Sequence, residues 1–99
     1  MISWLKGQLL AVESESCVLN VSGVGYEVTC SANTLSDIGS LENAELYVHT
    51  HVREDQLSLF GFTSLVEKKL FLSLIKVNGI GPKLAITILS AARVSDIVE

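Results

Sequence analysis

A small β barrel followed by a short all-α region is the fold class this sequence predicts, and three observations predict it. Before residue 63, five short runs carry the two-residue alternation of half-buried strands. At Ser64 the apolar period lengthens to that of a helix. Beyond it, two apolar helical runs are joined by the short connection Asn78-Gly79-Ile80-Gly81-Pro82-Lys83.

The first strand is expected from Trp4 to Val12, and Glu13-Ser14-Glu15-Ser16 is a polar turn. Residues 17–22 then alternate, with Val18, Asn20 and Ser22 on one side. Gly23-Val24-Gly25 breaks that run, and the next strand places Tyr26, Val28 and Cys30 on one face. Residues 32–38 read as a short helix closed by Gly39. A fourth strand over 45–52 turns Leu46, Val48, Thr50 and Val52 one way; Arg53-Glu54-Asp55-Gln56 is a polar tip, and 57–62 is the fifth strand. Periodicity alone specifies a small barrel or sandwich. Five short strands with a helix before the fourth point further, to a closed barrel of the oligonucleotide/oligosaccharide-binding type (OB-fold).

In the helical part, Ser64 and Glu67 make the S-x-x-E signature of a capping box. Leu70, Phe71, Leu74 and Ile75 follow at helical spacing. Pro82 suits the first position of the next helix, where its missing N–H costs nothing. Leu84, Ile88 and Leu89 are expected to form that helix's apolar face, and Ser95 reads as the N-cap of a third helix with Asp96 and Glu99 in its first turn. The expected division is a barrel domain over residues 1–62 and a helix-hairpin-helix region over 63–99. The second part is too short to hold a core alone. It must pack on the barrel, on further sequence or on another subunit, and the chain is expected to be a fragment.

Ninety-nine residues, 48% of them apolar, suit one ordinary domain or two very small ones. No apolar run approaches the roughly 20 residues that span a bilayer, and Met1-Ile2-Ser3-Trp4-Leu5-Lys6 lacks the plan of a signal peptide. A soluble, cytoplasmic protein is expected. Cys17 and Cys30 lie in strand-like runs outside any C-x-x-C arrangement, so both are expected to be buried free thiols. The net charge of −4 excludes nucleic-acid binding by bulk charge. A nucleic-acid binder of this composition must rely on backbone amides, helix N-termini and a few placed lysines.

The connection at 78–83 has two readings. Any tight helix–helix turn can use glycine for its conformational freedom. Alternatively, the amides of Asn78, Gly79, Ile80 and Gly81, with Lys83 inside the first turn of the helix, form a phosphate site, and Gly81 keeps the backbone approachable. Gly23-Val24-Gly25 resembles the start of a dinucleotide fingerprint but lacks the third glycine and the following helix, and reads as a bend between strands. Glu54 and Asp55 on an exposed tip are poor catalytic carboxylates, because nothing there separates their pKa values. His49 and His51 share a strand face without a third metal ligand and read as a surface or interface pair. Trp4 is expected to be a core or interface aromatic, and Lys68 and Lys69 to be solvated. No Walker motif is present, so no ATP hydrolysis is expected, and no cofactor or metal.

Taken in order, several segments closely resemble the N-terminal part of the RuvA family of Holliday-junction-binding subunits. They are Met1-Ile2 with Leu5-x-Gly7, Val21-Ser22-Gly23-Val24-Gly25-Tyr26-Glu27-Val28, Arg53-Glu54-Asp55, Leu59-Phe60-Gly61-Phe62, Leu70-Phe71, Leu74-Ile75-Lys76 and Asn78 to Ala85. The resemblance implies an OB-fold domain, then a domain with two helix-hairpin-helix motifs, then a mobile domain that binds the hexameric ATPase motor RuvB. Only the first hairpin motif lies in this sequence. It also implies fourfold tetramers, two of which can form an octamer around a four-way junction, and a resolvase of the same pathway as a further partner. By this resemblance Glu54 and Asp55 form an acidic pin that repels phosphates at the crossover, and Arg53 beside it tempers that charge or meets a nearby phosphate. Trp4 departs from the basic or polar residue common at that position.

The expected function is non-catalytic, structure-specific binding of four-way junction DNA within an ATP-driven branch-migration complex of recombination and repair. The rival from another class is an OB-like barrel that only oligomerises or scaffolds, with the hairpin as a plain turn. A nuclease using Glu27, Glu54 and Asp55 around a metal is a weaker third reading, since the tip position argues against it.

Overall fold

Cys17, Leu19, Val28, Cys30, Leu46 and Val48 are each no more than 1% exposed and share one interior, as strand alternation requires. The computed structural model describes residues 1–91. Its strands are β1 (Trp4–Val12), β2 (Ser16–Val21), β3 (Val24–Cys30), β4 (Asn43–Arg53) and β5 (Gln56–Phe62), and they close in the order β1-β2-β3-β5-β4. The five-stranded closed barrel is thus present, with α1 (Ala32–Ile38) between β3 and β4. The break in the second run falls earlier than expected. Ser22 and Gly23, with φ of 53° and 92°, make the two-residue turn, and Gly25 lies inside β3.

Closure is uneven. β1 pairs with β4 over Trp4–Gln8 and with β2 over Gln8–Val12. β3 and β5 meet in parallel only at Thr29–Phe60 and Cys30–Gly61. The two strands therefore diverge towards Gly25 and Gln56, leaving a groove in the barrel wall. At the far end of β4, Val52 does not share the burial of Leu46, Val48 and Thr50; it stands 60% exposed opposite an equally exposed Leu57. Trp4 is 48% exposed and so lies outside the chain's own core. Both cysteines are buried and free. A hydrogen bond with Cys17, together with burial, pushes the Cys30 thiol up from its ordinary range, which keeps it protonated and unreactive.

The helix α2 (Leu65–Ile75) packs on the outside of β4 and β5, and α3 (Pro82–Ala91) packs against α2 and α1. Leu59 faces the barrel interior, whereas Phe60 and Phe62 face outward and join Phe71, Ala85, Ile86 and Leu89 in a second core. β5 is therefore buried on both faces at its C-terminal end, which explains its nearly continuous apolar run. The buried face of α3 is Ala85, Ile86 and Leu89, rotated from the expected Leu84, Ile88 and Leu89; Leu84 is 46% exposed. Lys83, Thr87 and Ser90 fall on one stripe of α3, which places Ala85 and Leu89 on the opposite, buried side. The expected third helix at Ser95 lies outside the described residues. Among the described residues, no helix is long and apolar enough to cross a membrane.

The capping box at α2 is half formed. Ser64 Oγ accepts from the Glu67 N–H at 3.2 Å, but the Glu67 carboxylate accepts from the N–H of Thr63, also at 3.2 Å, instead of that of Ser64. Glu67 is drawn inward: it accepts from Ser31 Oγ at 3.4 Å and Thr34 Oγ1 at 3.1 Å and is only 6% exposed. Ser31 is itself the N-cap of α1, accepting from Thr34 N–H at 3.1 Å. One buried carboxylate thus ties α1 of the barrel to the start of α2. Glu67→Ala would leave two hydroxyls and one amide without their acceptor and is expected to lower stability by about 2–3 kcal/mol. A denaturant midpoint unchanged from the parent would refute that role.

Candidate nucleic-acid interface

The connection between α2 and α3 begins with a four-residue turn in which Ile80 N–H donates to Val77 carbonyl at 3.1 Å. Gly79, third in the turn, has φ of +88°, the conformation a type II turn demands at that position. Ile80 is partly buried against the second core. Its amide is already used inside the turn, so Ile80 anchors the connection more clearly than it offers a donor. Asn78 and Gly79 are exposed.

Gly81 opens α3. Its carbonyl accepts from Ala85 N–H at 3.0 Å, which makes it the N-cap before Pro82. As a glycine it brings no side-chain oxygen to the first-turn amides, the groups that a helix start leaves without intrahelical partners. Its φ lies outside the left-handed region, and a Cβ there would meet nothing within 4 Å. The two glycines therefore differ in kind. Gly79 is required by the backbone, whereas nothing within the fold requires Gly81.

Lys83, the second residue of α3, is exposed, and its Nζ lies 3.4 Å from Glu15 Oε1 on the β1–β2 turn. Pro82 and Lys83 line a cleft of about 220 Å³ together with Thr29, His51, Arg53 and Ser58. Two residues singled out separately, Arg53 beside the acidic tip and Lys83 in the hairpin, thus share one concavity. Asn78 and Gly79 do not line it. Glu54 and Asp55 occupy the exposed two-residue turn between β4 and β5, whose last pair is Arg53–Gln56.

The histidine pair is less superficial than expected. The rings of His49 and His51 are 6.0 Å apart, and His49 also lies 5.7 Å from Phe71 beneath α2. Burial, then the neighbouring His51 and Lys68, push His49 below the ordinary imidazole range. No group of three or more metal-ligating side chains occurs among the described residues. Sequence reasoning missed the inward turn of Glu67 and the reach of Glu15 to Lys83. Both depend on contacts between segments more than 30 residues apart, which no local pattern encodes.

Residues 1–61 match the family model described as the RuvA N terminal domain. The chain belongs to that family. Relatives named Holliday junction branch migration complex subunit RuvA extend the likeness through the hairpin. The protein of Bdellovibrio bacteriovorus is 52% identical over 101 residues, covering 100% of this chain and 52% of the relative. That of Legionella pneumophila is 46% identical, covering 100% and 51%. That of Rickettsia bellii is 46% identical, covering 98% and 48%. The chain thus spans about half the length of the curated RuvA relatives it matches.

Proposed function

We propose that this chain binds four-way DNA junctions through the phosphate backbone, as a non-catalytic subunit of a branch-migration complex. The observation that carries this reading is Gly81: a helix start with no capping side chain, open space where a Cβ would be, and no requirement of the fold for glycine. A phosphate docked there would accept from the amides of the first turn and gain from the positive end of the helix dipole. Lys83 adds a cation in the same turn. α2, the turn and α3 then act as a helix-hairpin-helix motif, with Asn78 and Gly79 as its exposed approach. Relatives named as Holliday junction subunits supply the DNA form.

Glu54 and Asp55 serve as the acidic pin. The exposed apolar pair Val52 and Leu57 below them suits burial between copies around a fourfold axis, in a tetramer or a pair of tetramers. Arg53 faces the cleft shared with Lys83 and can meet the phosphate that the pin turns aside. Coupling to a RuvB-type hexameric ATPase belongs to the part of the RuvA relatives that this chain does not span.

The test is titration of labelled four-way junction and matched duplex at low salt, with particle mass followed by light scattering. Tight junction preference from a tetramer is expected, weakening steeply with salt through counterion release and indifferent to base sequence. A tetramer without junction preference would leave only the scaffold. Gly81→Ser gives a sharper result, because its two effects have opposite signs. Serine is a better N-cap than glycine, so the melting temperature should hold or rise. The same side chain occupies the phosphate's place and should weaken junction binding about tenfold, the loss of one charge-assisted hydrogen bond or more. Unchanged affinity would make the hairpin a plain structural turn. Gly79→Ala should do the reverse, costing about 1 kcal/mol of stability through its positive φ.

A further inference from the structure

Lys83 lies between two concavities of opposite character. On one side is the cleft with Arg53 and His51. On the other is the groove opened by the divergence of β3 and β5, about 540 Å³ in volume and lined by Glu15, Ser16, Tyr26 and Glu27 as well as Lys83. Glu27 is held in place by Ser16 Oγ, which donates to its carboxylate at 3.2 Å. Lys83 Nζ is turned towards the acidic groove, 3.4 Å from Glu15 Oε1, and the two side chains are 79% and 70% exposed. Both are free to swing, and neither is needed by either core. A lysine ammonium on a four-carbon stem can trade one anionic partner for another without moving the helix that carries it.

We infer that Glu15 is an affinity-setting residue for DNA: it holds Lys83 on the barrel side of the hairpin and competes with the incoming phosphate for it. This rests on the phosphate-binding role proposed for Lys83. Binding must break the Glu15–Lys83 pair, so part of the gain from the new contact is spent in releasing the old one. The cost per hairpin is the same for junction and duplex, since both present phosphates to the hairpin. A junction engaging several hairpins at once can bear it, whereas a duplex engaging fewer falls below useful affinity. The exposure of the pair keeps the effect small at each site and sensitive to salt.

The test is a double-mutant cycle on labelled four-way junction and duplex at low salt, using the parent, Glu15→Gln, Lys83→Gln and the double variant. Glu15→Gln is expected to tighten binding by about two- to fivefold for each hairpin engaged, hence more for junction than for duplex, and the gain should vanish when Lys83 is already Gln. Melting temperatures of all four proteins should agree, since both side chains are exposed. Unchanged affinity in Glu15→Gln overturns the inference while the hairpin reading stands, provided that Lys83→Gln weakens binding. An equal gain with and without Lys83 also overturns it, and makes Glu15 a simple repulsive charge. If Lys83→Gln itself leaves junction binding intact, the phosphate role of Lys83 fails first, and this inference fails with it.

Discussion

Replacing Glu54 with Gln and Asp55 with Asn is expected to raise affinity for plain duplex by about tenfold while junction affinity changes only a few fold. The two carboxylates sit on an exposed turn that contributes to neither core, so the fold should not register the change. Their effect is through space. Each is a full negative charge on a narrow projection, and gathering several copies around one axis would multiply the field that a phosphate meets there. A junction offers an open centre into which such a projection fits. A duplex has none, and its backbone must pass over the charges. If the pair acts as the proposed pin, removing it would take away a penalty borne by duplex and not by junction, so discrimination would fall chiefly because the wrong ligand improves. Competition titrations of both DNAs at two salt concentrations measure this directly. The gain for duplex should shrink at the higher salt as screening replaces neutralisation. Duplex affinity no higher than the parent's would remove repulsion as the basis of selectivity and leave shape and hairpin contacts to explain it.

Phe71→Ala is expected to cost about 3–5 kcal/mol, a large share of the roughly 5–15 kcal/mol that holds a domain together. Phe71 is fully buried, and its ring lies 4.9 Å from that of Phe62, 5.4 Å from that of Phe60 and 5.7 Å from that of His49. Its ring contacts thus join α2 to both β4 and β5. The loss should fall on the attachment of α2 and α3 more than on the barrel, whose own interior, from Leu5 to Leu59, does not include Phe71. Chemical denaturation should show a lowered midpoint. Limited proteolysis should cut near the exposed Thr63 while the barrel survives. Junction binding should fall in parallel, because the hairpin can act beside the tip only while α2 and α3 are held on the barrel. A variant that melts as one unit at nearly the parental temperature would show that the second core carries little of the stability.

Much of this protein is legible from residue order. Strand alternation in Cys17–Leu19, Val28–Cys30 and Leu46–Val48 selects which side chains line the barrel, since a slip of one residue would turn every one of them outward. Ser64 before a helical period marks the start of α2, and Gly79 and Pro82 mark a turn and a helix start, because each satisfies a local backbone need. The candidate residues of the hairpin follow from the same local chemistry, whereas Glu54 and Asp55 read locally as a solvated tip and gain the role of a pin only through the family resemblance. Tertiary structure alone decided the rest. It turned Ile86, beside Ala85 and Leu89, into the second core and left Leu84 outside, by offering Phe62 and Phe71 as neighbours. It drew Glu67 from a local cap into a buried link between two helices, because Ser31 and Thr34 supply the donors that make burial of a carboxylate tolerable. It left Trp4 outside the core, brought Arg53 and Lys83 to one cleft, and set Lys83 within reach of Glu15. Sequence patterns encode the needs of a residue's own segment, whereas these placements depend on partners tens of residues away, which meet only when the barrel closes and the helices dock on it.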